Sequence, residues 1–165
     1  MTATRRIALA WYGYGYLREA LPIYPVYAIV IGAHGIDAMQ LSVLFIIWSG
    51  SALAFEVPAG VLADHYSRKW LLVASGAIKG CAFVVWWLVP DFTGYLAGFV
   101  IWGASSSLVS GTAESYLYDS LASRGNADAF TRIYGRGMAA ASLGIATALA
   151  SGGYLALNQN LSDIL

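Results

Sequence analysis

Ionisable side chains stand deep inside long apolar runs of this sequence, where a charge is costly and usually functional. At about 1.5 Å per helical residue, Glu56 lies about 12 Å inward from Asp64. By the same rise, Lys79 lies about 15 Å inward from Lys69. A carboxylate and an amine at such depth could carry a proton, bind a solute or pair with each other. If their helices are consecutive and antiparallel, a Glu56–Lys79 ion pair is reasonable, and both a structural pair and a proton or substrate site stay open.

A second set of such charges lies further along the chain. Glu114 is about 7 Å inward from Asp119 along a helix. Arg136 lies a comparable distance inside the next apolar run, so Glu114 and Arg136 could also pair. A structural ion pair and a place on a solute path remain open for both residues.

The composition indicates that lipid is the solvent of this chain. Of the 165 residues, 59% are hydrophobic and only 11% are charged. A soluble domain carries roughly a quarter of charged residues. The net charge is zero, which gives no argument for a nucleic-acid partner.

The residue types that build metal sites and redox centres are scarce. The one cysteine, Cys81, excludes an internal disulfide and a cysteine-based metal site. No His/Glu spacing suggests a metal site, so we expect neither a metal nor a cofactor.

Five segments are apolar enough and long enough to cross a membrane as helices of about 20 residues. They are residues 11–35 (interrupted by Arg18 and Glu19), 39–63, 70–90, 93–118 and 129–157. The expected fold is an all-α membrane protein, a five-span transmembrane helix bundle. Helix N-caps are expected before spans two, four and five, from Asp37 with Gln40, from Asp91, and from Asn126 or Asp128.

The loop cations all fall on one side of this topology. They are Arg5, Arg6, Arg68, Lys69, Arg124 and Arg132. The loops 33–38 and 90–93 contain no lysine or arginine. The positive-inside rule therefore places the N-terminus and the cation-bearing loops in the cytoplasm. Trp86 and Trp87 are expected at the outer membrane interface.

Small residues recur inside the spans, as in Gly76-x-x-x-Gly80 and Gly94-x-x-x-Gly98. In lipid, helices associate by close backbone approach at such residues. Gly60 is expected to let another helix approach the end of span two.

The loop after span two resembles a family signature. Residues 60–69 read GVLADHYSRK, similar to the pattern Gly-x-Leu-Ala-Asp-Arg-x-Gly-Arg-Lys of the major facilitator superfamily. His65 stands where the family usually has arginine, and Ser67 where it has glycine. The segments EVP at 56–58 and GTAESYLYD at 111–119 resemble one bacterial branch of that superfamily.

The resemblance implies a fold and a function. The chain would form most of the N-terminal six-helix half of a major facilitator fold, in a bacterial inner membrane, with the C-terminal half absent. It would take part in secondary active transport of a small solute by alternating access, coupled to a proton or another ion. No Gly-x-x-x-x-Gly-Lys loop for ATP is present. We expect no transport by residues 1–165 alone; their last segment could be the approach to a sixth span.

The resemblance also implies two groups of site residues. One is a conformational gate at the cytoplasmic ends of the helices, formed by Gly60, Asp64, Arg68, Lys69 and Asp119. The other comprises the transport path and the intramembrane charges, formed by Arg18, Glu19, Tyr24, Tyr27, Glu56, Lys79, Glu114 and Arg136.

Two other classes of protein compete with a transporter. An intramembrane enzyme is disfavoured because His34 and His65 fall on opposite membrane surfaces by topology and cannot join one catalytic group. A membrane scaffold or accessory subunit without transport of its own remains the alternative. The sequence leaves the substrate, the direction of transport and the coupling ion open.

The topology predicts the accessibility of the loop at residues 64–69. In a variant with Cys81 replaced by alanine, Ser67→Cys should resist a membrane-impermeant maleimide in intact cells and react after permeabilisation. Ala38→Cys, beside the cation-free loop, should react in intact cells. Labelling of Ser67→Cys from the outside would refute the orientation.

Overall fold

The computed structural model describes residues 3–158, with side chains through Tyr154, and this part of the chain is helical without any strand. The helices are α1 (Ala3–Glu19), α2 (Tyr27–Ala33), α3 (Ala38–His65), α4 (Arg68–Leu88), α5 (Phe92–Val109), α6 (Thr112–Ala122) and α7 (Phe130–Asn158). A single 3₁₀ turn, Ala127–Ala129, precedes α7. The tail at 159–165, where a sixth span could begin, lies outside the described residues.

Three helical segments of the described chain are long and apolar enough to cross a membrane. They are Ala38–His65, Arg68–Leu88 and Phe92–Ala122, corresponding to predicted spans two, three and four. The predicted first span is divided into α1 and α2. The predicted fifth span is the single helix α7, whose first half carries Arg132 and Arg136. The all-helical fold is confirmed, and the five-span count stays a prediction.

Two of the three predicted N-caps are present. Asp37 accepts a hydrogen bond from the Gln40 amide at 2.7 Å, and the Gln40 side chain accepts one from the Asp37 amide at 3.0 Å. This reciprocal pair satisfies two amides at the start of α3. Asp91 accepts a hydrogen bond from the Gly94 amide at 2.9 Å and caps α5 in the same manner.

The predicted cap of the fifth span is wrong. Asn126 makes no side-chain capping bond, and its Nδ2 donates to the Arg124 carbonyl at 2.7 Å instead. The reason is that Asn126 completes the end of α6. Its amide donates to the Leu121 carbonyl and the Gly125 amide to the Ala122 carbonyl, with Gly125 at φ +67°. This pattern is a Schellman closure, which requires a left-handed residue that glycine supplies easily.

The chain forms two compact units. The first unit comprises the chain up to Tyr27 together with the chain from Glu114 onward. In it α1 packs along α7, and Leu117, Leu121 and Ile133 are buried between the helices. The second unit is Ala28–Ala113, in which α5 packs against both α3 and α4.

Small residues let the helices of the first unit approach closely. Gly137, Gly144 and Gly152 lie on one face of α7. A Cβ at Gly137 would collide with the Trp11 indole, one at Gly144 with the Tyr16 carbonyl, and one at Gly152 with Pro25. Side chains at these three positions would push α1 and the turn after it away from α7.

Glycines are used unevenly in the second unit. A Cβ at Gly103 would lie 2.6 Å from the Trp48 carbonyl oxygen of α3, and one at Gly98 would enter the Trp86 ring. The predicted contacts at Gly76 and Gly80 are absent among the described residues, since apart from the adjacent turns of α4 no atom would lie within 4 Å of a Cβ at either position. The space beside Gly60 is open in the same way, and its role in admitting another helix stays a prediction.

Trp86 is the centre of an aromatic cluster in the second unit. Only 6% of its surface is exposed, and its ring centroid lies 4.8 Å from that of Phe99 and 5.3 Å from that of Phe83. Its Nε1 donates to the Tyr95 carbonyl at 3.3 Å. Trp86 is therefore a core residue of the second unit, whereas its neighbour Trp87 is 80% exposed, and the interfacial depth expected for both tryptophans stays a prediction. The difference arises because residue 86 faces α5.

The contact at Gly103 predicts a stability difference between two glycines. Gly103→Ala should destabilise the chain by about 1–3 kcal/mol, because the backbone of α3 must move away from the new methyl group. The matched Gly76→Ala faces open space and should match or exceed the wild type, since alanine favours helix by about 1 kcal/mol. Thermal unfolding in detergent measures both, and equal losses would contradict the close packing of α3 and α5.

Candidate functional site

The first predicted span is broken near its middle. The α-helix α1 ends at Glu19 and α2 starts at Tyr27, with turns between them. Pro22 and Pro25 lie in this break, and each lacks the amide that a continuous helix needs. The break thus exposes backbone polar groups within an otherwise apolar segment.

Charges flank this break. Arg18 Nε lies 3.2 Å from Glu19 Oε1, and the two side chains are 44% and 22% exposed. Arg18 is also favoured at the C-terminus of α1 by the helix dipole. Tyr24 and Tyr27, the other predicted path residues of this segment, are half-buried. The four residues therefore line a short break, with the two charges balancing each other.

The fourth predicted span is also broken, between α5 and α6. The helix α5 ends at Val109 with Ser110 as its C-cap, and Gly111 adopts φ +69° before α6 begins at Thr112. Glu114 consequently falls in the first turn of α6. A carboxylate there is stabilised by the partial positive charge of the helix N-terminus.

Glu114 is joined to α7 by a short hydrogen bond. The Tyr134 hydroxyl donates to Glu114 Oε1 at 2.5 Å. The predicted Glu114–Arg136 ion pair is not formed among the described residues. The physical reason is helical periodicity, because residues 134 and 136 point about 160° apart on α7. Tyr134 faces α6, and Arg136 is exposed elsewhere on the helix.

Aromatic rings continue this contact along the α6–α7 hairpin. One helical turn from the Glu114–Tyr134 bond, the rings of Tyr118 and Phe130 meet edge to face at 5.6 Å. Phe130 and Tyr134 stack at 5.6 Å, and Trp11 of α1 lies 6.2 Å from Tyr134. We call Trp11, Tyr118, Phe130 and Tyr134 the aromatic wall. It lies beside an exposed carboxylate in the first unit.

The predicted gate residues lie at helix ends. Asp64 is exposed in the last turn of α3, and Arg68 is the first residue of α4. Lys69 Nζ lies 5.9 Å from the centroid of the Trp70 ring, and Asp119 is exposed in α6. An ionic network of Asp64, Arg68 and Asp119 stays a prediction.

The predicted intramembrane pair lies on α3 and α4. Glu56 is exposed on α3, and Lys79 Nζ lies 5.7 Å from the centroid of the Trp102 ring on α5. A cation over an indole face is attracted by the ring quadrupole. Since α5 packs against both α3 and α4, which touch each other little, it supplies this partner. The Glu56–Lys79 pair stays a prediction.

Sequence reasoning missed the aromatic wall and the partner of Glu114. A signal was present, because Glu114 and Tyr118 are one turn apart, as are Phe130 and Tyr134, on the two sides of the turn at Gly125. Pairing them across a hairpin would have required knowing that the turn closes at Gly125. Within residues 3–158, no cluster of histidine, cysteine or carboxylate side chains could hold a metal ion.

Gly111 predicts a cost for any side chain at the break in span four. Gly111→Ala should destabilise the chain by about 1–2 kcal/mol, because a left-handed backbone strains an L side chain. Gly111→Asn should cost less, since asparagine enters this region more readily. Open space surrounds the position, so the loss measures backbone strain alone. Unfolding in detergent checks the order, and an equal stability of Gly111→Ala and the wild type would contradict the break.

Two curated proteins are similar to part of this chain. YxaM of Bacillus subtilis (strain 168), named as an uncharacterised MFS-type transporter, is 26% identical over 109 residues, 65% of this chain and 27% of that protein. MJ1560 of Methanocaldococcus jannaschii, named in the same way, is 26% identical over 96 residues, 58% of this chain and 24% of that protein. The chain spans about a quarter of the length of the curated relatives it matches.

No family model and no solved structure matches the chain. MFS denotes the major facilitator superfamily, so the resemblance predicted from the loop after α3 is confirmed. Together with the apolar helices, the relatives indicate an integral membrane protein.

Proposed function

We propose that this chain is the N-terminal helix bundle of a major facilitator superfamily transporter, which moves a small solute by alternating access. The observation that carries the proposal is the similarity to two proteins named as MFS-type transporters. The match of residues 60–69 to the family's loop pattern supports it independently of overall identity. The C-terminal half would complete the path between two such bundles.

The proposed topology has five spans in this chain, with the N-terminus in the cytoplasm of a bacterial cell. The first span would be α1 and α2 together, and the fourth would be α5 and α6 together. Broken helices are tolerated at membrane depth where the freed backbone groups face protein or a water-filled cavity. Each break, at residues 20–26 and at residues 110–111, is taken by itself as a place where the backbone could face such surroundings.

The proposed mechanism uses the cytoplasmic ends of the helices as a gate. Asp64 is unfavourable for the dipole of its own helix, because it lies in the last turn of α3. A cation or the N-terminus of another helix would stabilise it, and Arg68 is the nearest cation along the chain. Such contacts would hold the cytoplasmic side closed while the outer side is open, and would break as the transporter turns inward. An ion gradient would supply the free energy.

The gate predicts the effect of one neutral substitution. In the full transporter that contains this chain, Asp64→Asn should slow transport by about tenfold or more, the effect of losing about 1.4 kcal/mol of stabilisation. Asp128→Asn, which removes an exposed carboxylate from the 3₁₀ turn, should leave the rate unchanged. Transport in liposomes measures the rates, and the amount of inserted protein is the control for folding.

The outcomes separate the proposed roles. If Asp64→Asn transports at the wild-type rate, the proposed role of Asp64 in the gate is refuted, whereas the proposed transport function is unaffected. Absence of any gradient-driven solute movement by the full protein, with retention of a stable membrane partner, would favour a scaffold or accessory subunit instead.

A further inference from the structure

The carboxylate of Glu114 has no cationic side chain as a partner in the described part of the chain, where the partial positive charge at the start of α6 supports it. It accepts one hydrogen bond, from the Tyr134 hydroxyl to Oε1, and it forms no ion pair there. The side chain is exposed, so Oε2 remains open to a ligand. In a segment apolar enough to cross a membrane, a carboxylate supported only by a helix N-terminus and one hydroxyl can still bind a positively charged ligand.

The cations of α7 do not supply that charge. Arg132 and Arg136 each lie two residues from Tyr134, and so point about 160° away from the side of α7 that meets Glu114. Both arginines are exposed. Neither arginine of α7 therefore lies on the side of the hairpin that carries Glu114.

The aromatic wall defines the kind of cation that fits. Its four rings are held in contact with one another, from Trp11 through Tyr134 and Phe130 to Tyr118. Aromatic faces attract cations and at the same time offer apolar surface to an organic body. The surface thus combines one negative charge with several rings.

Other ligand classes fit this surface poorly. Ca²⁺ and Mg²⁺ take six or more oxygen ligands, and a single carboxylate cannot provide them. An anion would be repelled by Glu114. A sugar requires several hydrogen-bonding groups within reach, whereas the described site offers the Glu114 carboxylate, tyrosine hydroxyls and the buried indole N–H of Trp11. A proton satisfies the charge of Glu114 but makes no use of the rings.

We infer that Glu114 and the aromatic wall form a binding site for an organic monocation with an apolar body, such as a quaternary or protonated amine. The binding of this cation does not depend on the function proposed above. The further step, that the cation is also the transported solute, rests on that function.

The site can be tested on the purified 165-residue chain with two ions of the same shape and opposite charge. Tetraphenylphosphonium should bind in isothermal titration calorimetry, and tetraphenylborate should not bind beyond its uptake by empty micelles. Glu114→Gln should weaken binding of the cation by about tenfold or more, equivalent to at least about 1.4 kcal/mol. Asp128→Asn, a matched loss of an exposed carboxylate in the same unit, should bind as the wild type does.

A second pair of variants separates binding from a purely structural tie. Tyr134→Phe removes the hydrogen bond to Glu114 and keeps the ring, so it should retain cation binding while lowering the unfolding temperature. If Glu114 only ties α6 to α7, both Tyr134→Phe and Glu114→Gln will lower the unfolding temperature and neither will change binding. Phe130→Leu, which removes one ring of the wall, should weaken binding severalfold and covers the case in which Glu114→Gln does not fold.

The results that overturn the site are distinct from those that overturn transport. Equal affinity for the phosphonium ion in the wild type and Glu114→Gln, or equal binding of both ions, would refute the cation site. A full transporter that moves only neutral or anionic solutes would leave the proposed function intact and remove the cation as its solute. If the 165-residue chain binds the cation but the full protein transports no solute, the binding site stands and the proposed transport function is refuted.

Discussion

Close approach of helix backbones at small residues is the constraint on which the first unit depends. Apolar side chains gain little by leaving lipid for one another, so helices in a membrane associate where their backbones can come near. On α7, Gly137, Gly144 and Gly152 provide that face for α1 and the turn after it. The same contact seats Trp11 against Gly137 and beside Tyr134. A larger residue at position 137 would therefore alter both the packing and the rings next to Glu114.

Local chemistry was predictable from sequence, and tertiary partners were much less so. The caps at Asp37 and Asp91 follow from residue types a few positions apart, and both formed. Asn126 does not cap the N-terminus of the next helix, because asparagine is also common just after the C-terminus of a helix. The left-handed Gly125 before it places Asn126 at the end of α6. The burial of Trp86 did not follow from the sequence, because a tryptophan beside a helix end suits either an interface or a core. The packing of α5 against α4 shows that it faces inward.

The site shows the same division. The hydrophobicity of the sequence was enough to identify Glu114 as a charge within an apolar run, because this step requires no knowledge of which helices are neighbours. The predicted partner of Glu114 was wrong. Arg136 was chosen for its opposite charge at a similar depth, but the helical position of Tyr134, and not that of Arg136, faces Glu114. Polar side chains and irregular backbone also occur together, with Arg18 and Glu19 beside one break and Glu114 beside the other. A helix end already exposes unsatisfied backbone groups, so charges there share a polar environment.

The make-up of the first unit has a consequence for biosynthesis. It joins the two ends of the described chain, since α1 packs along a helix that begins only at Phe130. The glycine-bearing partner of α1 thus leaves the ribosome long after α1 itself, while the second unit is made without interruption from Ala28 to Ala113. Until α7 is made, α1 lacks its main packing partner. Premature termination before residue 130 would therefore leave α1 without the glycine face against which it packs.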